Sequence, residues 1–241
     1  MIARFRLTAV FILLLSAVSA AAGPDPAAPP LTARQALGLL KAGNDRFARN
    51  ASKPVSMSVH RRQEIADSQH PVAMVLSCAD SRVPPEHLFN VGLGDLFVIR
   101  TAGAVIDRSI LATAEYGATE LQVPLLVVMG HESCGAVKAA AEAKGPSESA
   151  NLDYLLRAIQ AARRQAATAE DHQDREDLKA LVLANVEEVI NDAMAKSPLL
   201  RRLVSEGKLE VVGAYYELVS GRVMFSEPVP PAVSAAPVTR R

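Results

Sequence analysis

The sequence predicts an α/β fold: one domain built on a mostly parallel central β-sheet flanked by helices. Two observations carry this. Short continuous apolar runs, at residues 73–77, 95–100, 125–129 and 209–218, alternate with longer segments of helical periodicity. The runs at 73–76, 96–99, 125–129 and 211–216 carry no charged residue, as suits strands covered on both faces, whereas a half-exposed strand alternates.

The elements follow in order. Residues 31–50 carry Ala36, Leu39, Leu40 and Phe47 at helical spacing, with Thr32 placed to cap the N-terminus. The strand at 73–77 follows Pro71, and the strand at 95–100 follows Gly92 and Gly94. Residues 107–121 read as a helix capped by Asp107. The strand at 125–129 is the most apolar; Gly130 is expected to end it, and a helix restarts over 134–144. After a break at 145–148, residues 151–170 and 174–196 read as helices with one charged face. The strand at 209–218 leads to a turn at Ser220-Gly221, and residues 222–225 return as an antiparallel edge strand.

At the N-terminus, Arg4 and Arg6 precede an apolar run at 7–18 and small-residue cleavage candidates such as Val18-Ser19-Ala20. We expect residues 1–22 to be a signal peptide, 23–30 a Pro/Ala-rich linker, 31–226 the folded domain and 227–241 a flexible tail. The expected destination is the periplasm or the exterior, with no membrane association after cleavage.

The chain has 26 basic and 26 acidic residues and only 4% aromatics, which gives no support to nucleic-acid binding. Its 49% apolar content excludes disorder of the main body.

The only two cysteines stand in two short strings, Cys78-Ala79-Asp80-Ser81-Arg82 and His131-Glu132-Ser133-Cys134-Gly135. An exported protein with two cysteines invites a disulfide. A bridge, however, needs neither Asp80 nor His131. Two thiolates, an imidazole and a carboxylate make a tetrahedral zinc donor set, which favours a metal site, with the bridge as the alternative. Arg82 stands two residues after Asp80, where it can take the carboxylate from the metal and open a coordination position. Cys78 is expected just past the first strand and His131 just past the third. Ligands of such sheets bind at the carboxyl ends of strands, so both halves fall on one edge. A helix beginning near Cys134 would favour its thiolate.

These strings have company. Gly43-Asn44-Asp45-Arg46-Phe47, Val83-Pro84-Pro85-Glu86, Gly94-Asp95-Leu96-Phe97-Val98-Ile99-Arg100, Glu115-Tyr116-Gly117 and Gly213-Ala214-Tyr215-Tyr216 with Gly221 stand at intervals between residues 31 and 225. With them the chain resembles the β-class carbonic anhydrases. The resemblance implies one Zn2+ per chain on Cys78, His131 and Cys134, with Asp80 either in the fourth position or paired with Arg82. It implies reversible hydration of CO2 to bicarbonate and a proton, in which a zinc-generated hydroxide attacks CO2 and the Asp80–Arg82 pair orients it or gates access. It places Gln69, Phe97 and Tyr116 in the substrate pocket, partly from a neighbouring subunit, and the Gly135 N–H against bicarbonate. It implies a homodimer or larger even-numbered homo-oligomer, the N-terminal helix lying across the partner.

Two departures stand out. Ala104 replaces an asparagine common in the family, and no tryptophan is present for a non-catalytic bicarbonate site. Two thiolate ligands donate more charge than imidazoles, so the metal-bound water is expected to ionise above the roughly 7 of three-histidine sites, with activity rising in the alkaline range. His60, His70, His87 and His172 show no partner pattern, and none is assigned as a proton shuttle. Two other readings keep the fold: a zinc hydrolase acting on carbon disulfide or carbonyl sulfide, and a non-enzymatic zinc protein with four permanent ligands. Arg82 argues against the second.

Overall fold

The computed structural model describes residues 31–166 and 175–230. The signal peptide, the linker, His172 and most of the tail expected from the sequence lie outside the described residues.

Five strands form one sheet in the order β2-β1-β3-β4-β5. They are β1 (Ala73–Cys78), β2 (Leu96–Thr101), β3 (Leu125–His131), β4 (Glu210–Tyr216) and β5 (Val223–Phe225). The first four run parallel, and β5 returns antiparallel to β4. β1 and β3, at the centre, are buried along their whole length, which is why both read as unbroken apolar runs.

Alternate residues feed opposite faces. Met74, Leu76, Leu126, Val128 and Val211 pack under helices α4 (Arg108–Thr119), α7 (Arg175–Lys196) and α8 (Pro198–Ser205). Val75, Leu125, Val127, Met129 and Val212 pack under α1 (Ala33–Ala48) and the short α3 (Pro85–Leu88). Two further helices, α5 (Gly135–Glu142) and α6 (Ala150–Ala166), close the carboxyl edge with Val137, Ala140, Leu156 and Ile159. A one-and-a-half-turn α2 (Val59–Glu64) leads into β1.

The capping residues read from the sequence do that work. Thr32 and Gln35 form a reciprocal capping box on α1, and the Asp107 side chain accepts from the Ile110 N–H on α4. Within Gly43-Asn44-Asp45-Arg46-Phe47, buried Asn44 donates to the carbonyls of Leu88 and Gly221 and accepts from the Val223 N–H. A Cβ on Gly43 would stand 1.8 Å from the Phe89 carbonyl oxygen, so the glycine permits the close approach of α1. The buried face of α1, Ala33, Ala36 and Leu40, is therefore spent on its own chain; Leu39, 47% exposed, is on the outer side.

Some boundaries differ from expectation. Gly130 lies inside β3, because α7 crosses there: a Cβ would meet Val182 Cγ1 at 2.5 Å. β3 then pairs with β4 as far as His131 opposite Tyr216. Cys78 and His131 are thus the last residues of their strands, one step earlier than expected. Helices α2, α3 and α8 are too short for periodicity to reveal, although Ser58 and Ser197 cap α2 and α8. Among the described residues no helix is long and apolar enough to cross a membrane.

Candidate metal centre

The carboxyl ends of β1 and β3 bring Cys78 and His131 together, and Cys134 joins them from the N-cap of α5. The turn between the last two is made by Ser133 in the left-handed region, φ 54°. The Sγ atoms of Cys78 and Cys134 and a ring nitrogen of His131 lie within 4.8 Å of one another, all three residues buried.

Both cysteines are free, with their sulfurs 4.0 Å apart. A disulfide needs about 2.05 Å. Two sulfurs each about 2.3 Å from one tetrahedral ion stand about 3.8 Å apart, close to what is observed. His131 Nδ1 is 2.9 Å from the Glu132 carbonyl oxygen, to which a protonated Nδ1 donates. That fixes the tautomer and leaves the Nε2 lone pair directed elsewhere. Nε2 is fully buried and has no hydrogen-bond partner among the described residues. A buried orphan lone pair is costly, and a metal ion beside two thiols satisfies it. The donor set thus fits zinc.

The hydrogen bond with Cys134 pulls the Cys78 thiol down to about 4 against the effect of burial, and His131 and the Gly103 N–H act in the same direction. The same contact and burial push Cys134 upward, while the N–H groups of Ala136 and Val137 at the helix start favour its thiolate. The N–H groups at the start of α5 thus act on Cys134 in the direction expected from the sequence, against its contact with Cys78 and burial.

Asp80 stands beside the cluster, its Oδ2 3.9 Å from His131 Nε2. Arg82 grips both its oxygens, Nε to Oδ1 at 2.9 Å and Nη2 to Oδ2 at 2.7 Å, and its backbone N–H adds a third bond. These bonds hold the Asp80 carboxyl well below the usual carboxylate range, despite some burial. Arg82 Nη2 also reaches the Ser133 carbonyl at 3.3 Å, tying the two ligand loops together.

The sequence model of the carbonic anhydrase family matches residues 73–223. The chain is 37% identical to carbonic anhydrase 2 of Mycobacterium tuberculosis over 194 residues, 78% of this chain and 90% of that one. The chain belongs to the β-carbonic anhydrase family. It is 36% identical to the carbonic anhydrase of Mycolicibacterium smegmatis over 82% of this chain and 94% of that one. Among solved structures, a Coccomyxa β-carbonic anhydrase in complex with acetazolamide superposes with a TM-score of 0.65 at 27% identity, covering 80% of this chain and 86% of that one. A tetrameric β-carbonic anhydrase from Sordaria macrospora gives 0.62 at 25% identity, covering 81% and 98%.

Within one chain of this β-carbonic anhydrase, the pocket residues read from the resemblance do not all meet the cluster. Gly135 does: it opens α5 beside Cys134. Its space is open, with nothing within 4 Å of a Cβ, so close packing does not explain the glycine. Phe97 and Tyr116 pair with each other, ring centroids 6.2 Å apart. They sit at the amino end of the sheet, where Phe97 registers with Met74, four residues or about 13 Å before Cys78 along β1. Gln69 is exposed on the loop entering β1 at that same end. Tyr116, 48% exposed, faces outward and is not the core residue its type suggests. A groove of about 590 Å³ runs between α7 and the β4–β5 pair past Lys179, Tyr215 and Met224, and none of the cluster residues lines it.

Two supports of the site carry no role in the sequence reading. Arg100, at the end of β2, donates from Nε to the Cys78 carbonyl at 3.0 Å and from Nη2 to the Asp80 carbonyl at 2.6 Å. The Gly103 N–H donates to Cys78 Sγ at 3.3 Å. Arg100 ends the string Gly94-Asp95-Leu96-Phe97-Val98-Ile99-Arg100, which is the signal in the sequence that marks it. Ala104 has φ 54°, so the position where the resemblance leads one to expect asparagine is a left-handed one, which asparagine tolerates better than alanine.

Proposed function

We propose that this chain catalyses the reversible hydration of CO2 to bicarbonate and a proton, holding one Zn2+ per chain on Cys78, His131 and Cys134. One observation carries the reading: two sulfurs and an unpartnered imidazole nitrogen converge while the neighbouring carboxylate is held back by an arginine. Carbonic anhydrase is also the activity named for the relatives. Zinc, when bound, supplies Lewis-acid activation of the water that attacks CO2.

The chain's own residues do the rest. Arg82 keeps Asp80 ionised and turned from the ligand atoms, which leaves a position open to water and substrate. The Asp80 carboxylate, facing that position, accepts a hydrogen bond from the attacking water and orients its lone pair toward CO2. The Gly135 N–H, an end group without an intrahelical partner, is placed to donate to an oxygen of bicarbonate. A carboxylate so firmly paired is a poor permanent ligand, which disfavours a purely structural zinc site.

Gln69, Phe97 and Tyr116 line the substrate pocket across an interface between copies of the chain, because in one chain they stand at the opposite end of the sheet. The functional unit is a homodimer or a larger even-numbered assembly. Arg4, Arg6 and the apolar run behind them support export, with the mature enzyme in the periplasm or outside the cell.

The test is CO2 hydration followed by stopped flow at alkaline pH, on the zinc-loaded chain from residue 23 onward. We expect fast turnover that chelation abolishes and zinc restores. No turnover from protein with zinc fully bound would overturn the reading. Mixing a Cys78→Ser chain with a Tyr116→Ala chain tests the shared pocket. If mixed assemblies recover no more activity than the two parents, the pocket lies within one chain.

A further inference from the structure

Gly103 is held from both sides. Its N–H points at Cys78 Sγ, 3.3 Å away, and its carbonyl accepts from Asn185 Nδ2 at 2.8 Å. Asn185 lies on α7, 82 residues further along the chain, and is only 4% exposed. Nothing in the local sequence relates it to the cysteine strings.

The turn it holds does not sustain itself. Residues Ala102–Ala104 form a 3-10 turn in which two consecutive residues, Gly103 at φ 68° and Ala104 at φ 54°, are left-handed. Such a conformation persists where the surroundings over-determine it. Ile159 of α6 closes one side, since a Cβ on Gly103 would meet its Cδ1 at 2.7 Å, and the Thr101 hydroxyl donates to the Val105 carbonyl across the turn. Asn185 supplies the bond to the peptide group itself. A buried amide is expensive unless paired, so its presence on a face otherwise formed by Leu181, Val182 and Val186 calls for a use.

We infer that Asn185 is a positioning residue of the metal centre: by pinning the Gly103 carbonyl it aims the Gly103 N–H at Cys78 Sγ and thereby sets how tightly the site holds zinc. The inference rests on the zinc reading given above. A sulfur that accepts an N–H bond carries thiolate charge at lower cost and is fixed in direction. Groups bonded directly to a ligand, as the Gly103 N–H is to Cys78, typically change metal affinity about 10- to 100-fold, and Asn185 acts through that group.

The test compares wild type, Asn185→Leu and, as a packing control on the same helix, Ile190→Val, whose side chain lies toward Gly213. Zinc affinity is measured by competition with a chromophoric chelator, and the thiolate-to-metal absorption band is recorded after cobalt loading. We expect Asn185→Leu to bind zinc about 10-fold more weakly, the lower end of the range for direct partners of ligands, and to shift the band, while Ile190→Val leaves both in place. Unchanged affinity and band in Asn185→Leu would overturn the inference while leaving the metal centre intact. Equal losses in both variants would reduce Asn185 to a packing residue. Wild type that binds no metal would overturn this inference and the zinc reading together.

Should Asn185→Leu not fold, the wild-type protein loaded with cadmium-113 decides. A scalar coupling between the metal and the Gly103 amide, transmitted through the N–H···S bond, is the expected result. No coupling at that amide, with both cysteines metal-bound, would overturn the inference.

Discussion

Asp80 Oδ2 stands 3.9 Å from His131 Nε2, yet its hydrogen bond goes to Arg82 Nη2 at 2.7 Å. In the proposed mechanism the Arg82 side chain decides whether the carboxylate belongs to the arginine or to the metal.

Arg82→Ala should therefore free Asp80 to close the site. We expect CO2 hydration to fall by about 100-fold or more, the scale of a mispositioned reacting group, with zinc content unchanged at one per chain. Arg82→Lys should recover little, because an ammonium cannot grip two oxygens at once. Full activity in Arg82→Ala would remove the gate from the mechanism.

Chelation should abolish activity and lower the melting temperature, and added zinc should restore both. Zinc at 1,000 times its dissociation constant contributes about 4 kcal/mol to folding stability, so the melting temperature should climb with free zinc. His131→Ala should lose that dependence. A melting temperature indifferent to zinc in the wild-type chain would count against a built metal site.

Ser77 is fully buried in β1, and its Oγ has no hydrogen-bond partner among the described residues. Ser77→Ala deletes an unsatisfied hydroxyl without opening much space. Urea unfolding should show it neutral or stabilising, by up to about 1 kcal/mol. A loss beyond that would mean the hydroxyl has a partner in solution.

Neighbouring residues of the 3-10 turn should respond with opposite signs. Gly103→Ala adds a Cβ 2.7 Å from Ile159 Cδ1 at a positive φ, and should cost about 2 kcal/mol or more. Ala104→Gly relieves a left-handed alanine and should gain up to about 1 kcal/mol, part of it offset by the freer unfolded chain. Thermal melts of the two variants check the sign.

The same contrast holds on α1. Gly43→Ala would drive a Cβ into the Phe89 carbonyl and should cost about 3 kcal/mol or more by displacing the helix. Gly38 has nothing within 4 Å, so Gly38→Ala should stabilise by about 0.5–1 kcal/mol through helix propensity. Equal melting temperatures for the two would mean that α1 does not dock on its own chain as described.

The sequence by itself determined the sheet and the cluster. Buried strands must be apolar along their whole length, so β1 and β3 announce themselves, and a parallel sheet brings their carboxyl ends to one edge whatever the loops do. Cys78, His131 and Cys134 followed from that edge and from donor chemistry. Thr32, Asp107 and Gly221 were legible because caps and left-handed turns demand particular residue types. What only the tertiary structure decided depends on contacts between distant segments. Gly130 reads as a strand end until α7 crosses it. Tyr116 reads as a pocket residue until its ring is found half exposed at the end of the sheet away from the cluster. Asn185 reads as one polar residue in a long helix until its amide meets Gly103. Such roles are set by the meeting of segments far apart in the chain, 82 residues for Gly103 and Asn185, and local pattern records only the periodicity and the backbone preference of each residue, not what it will face.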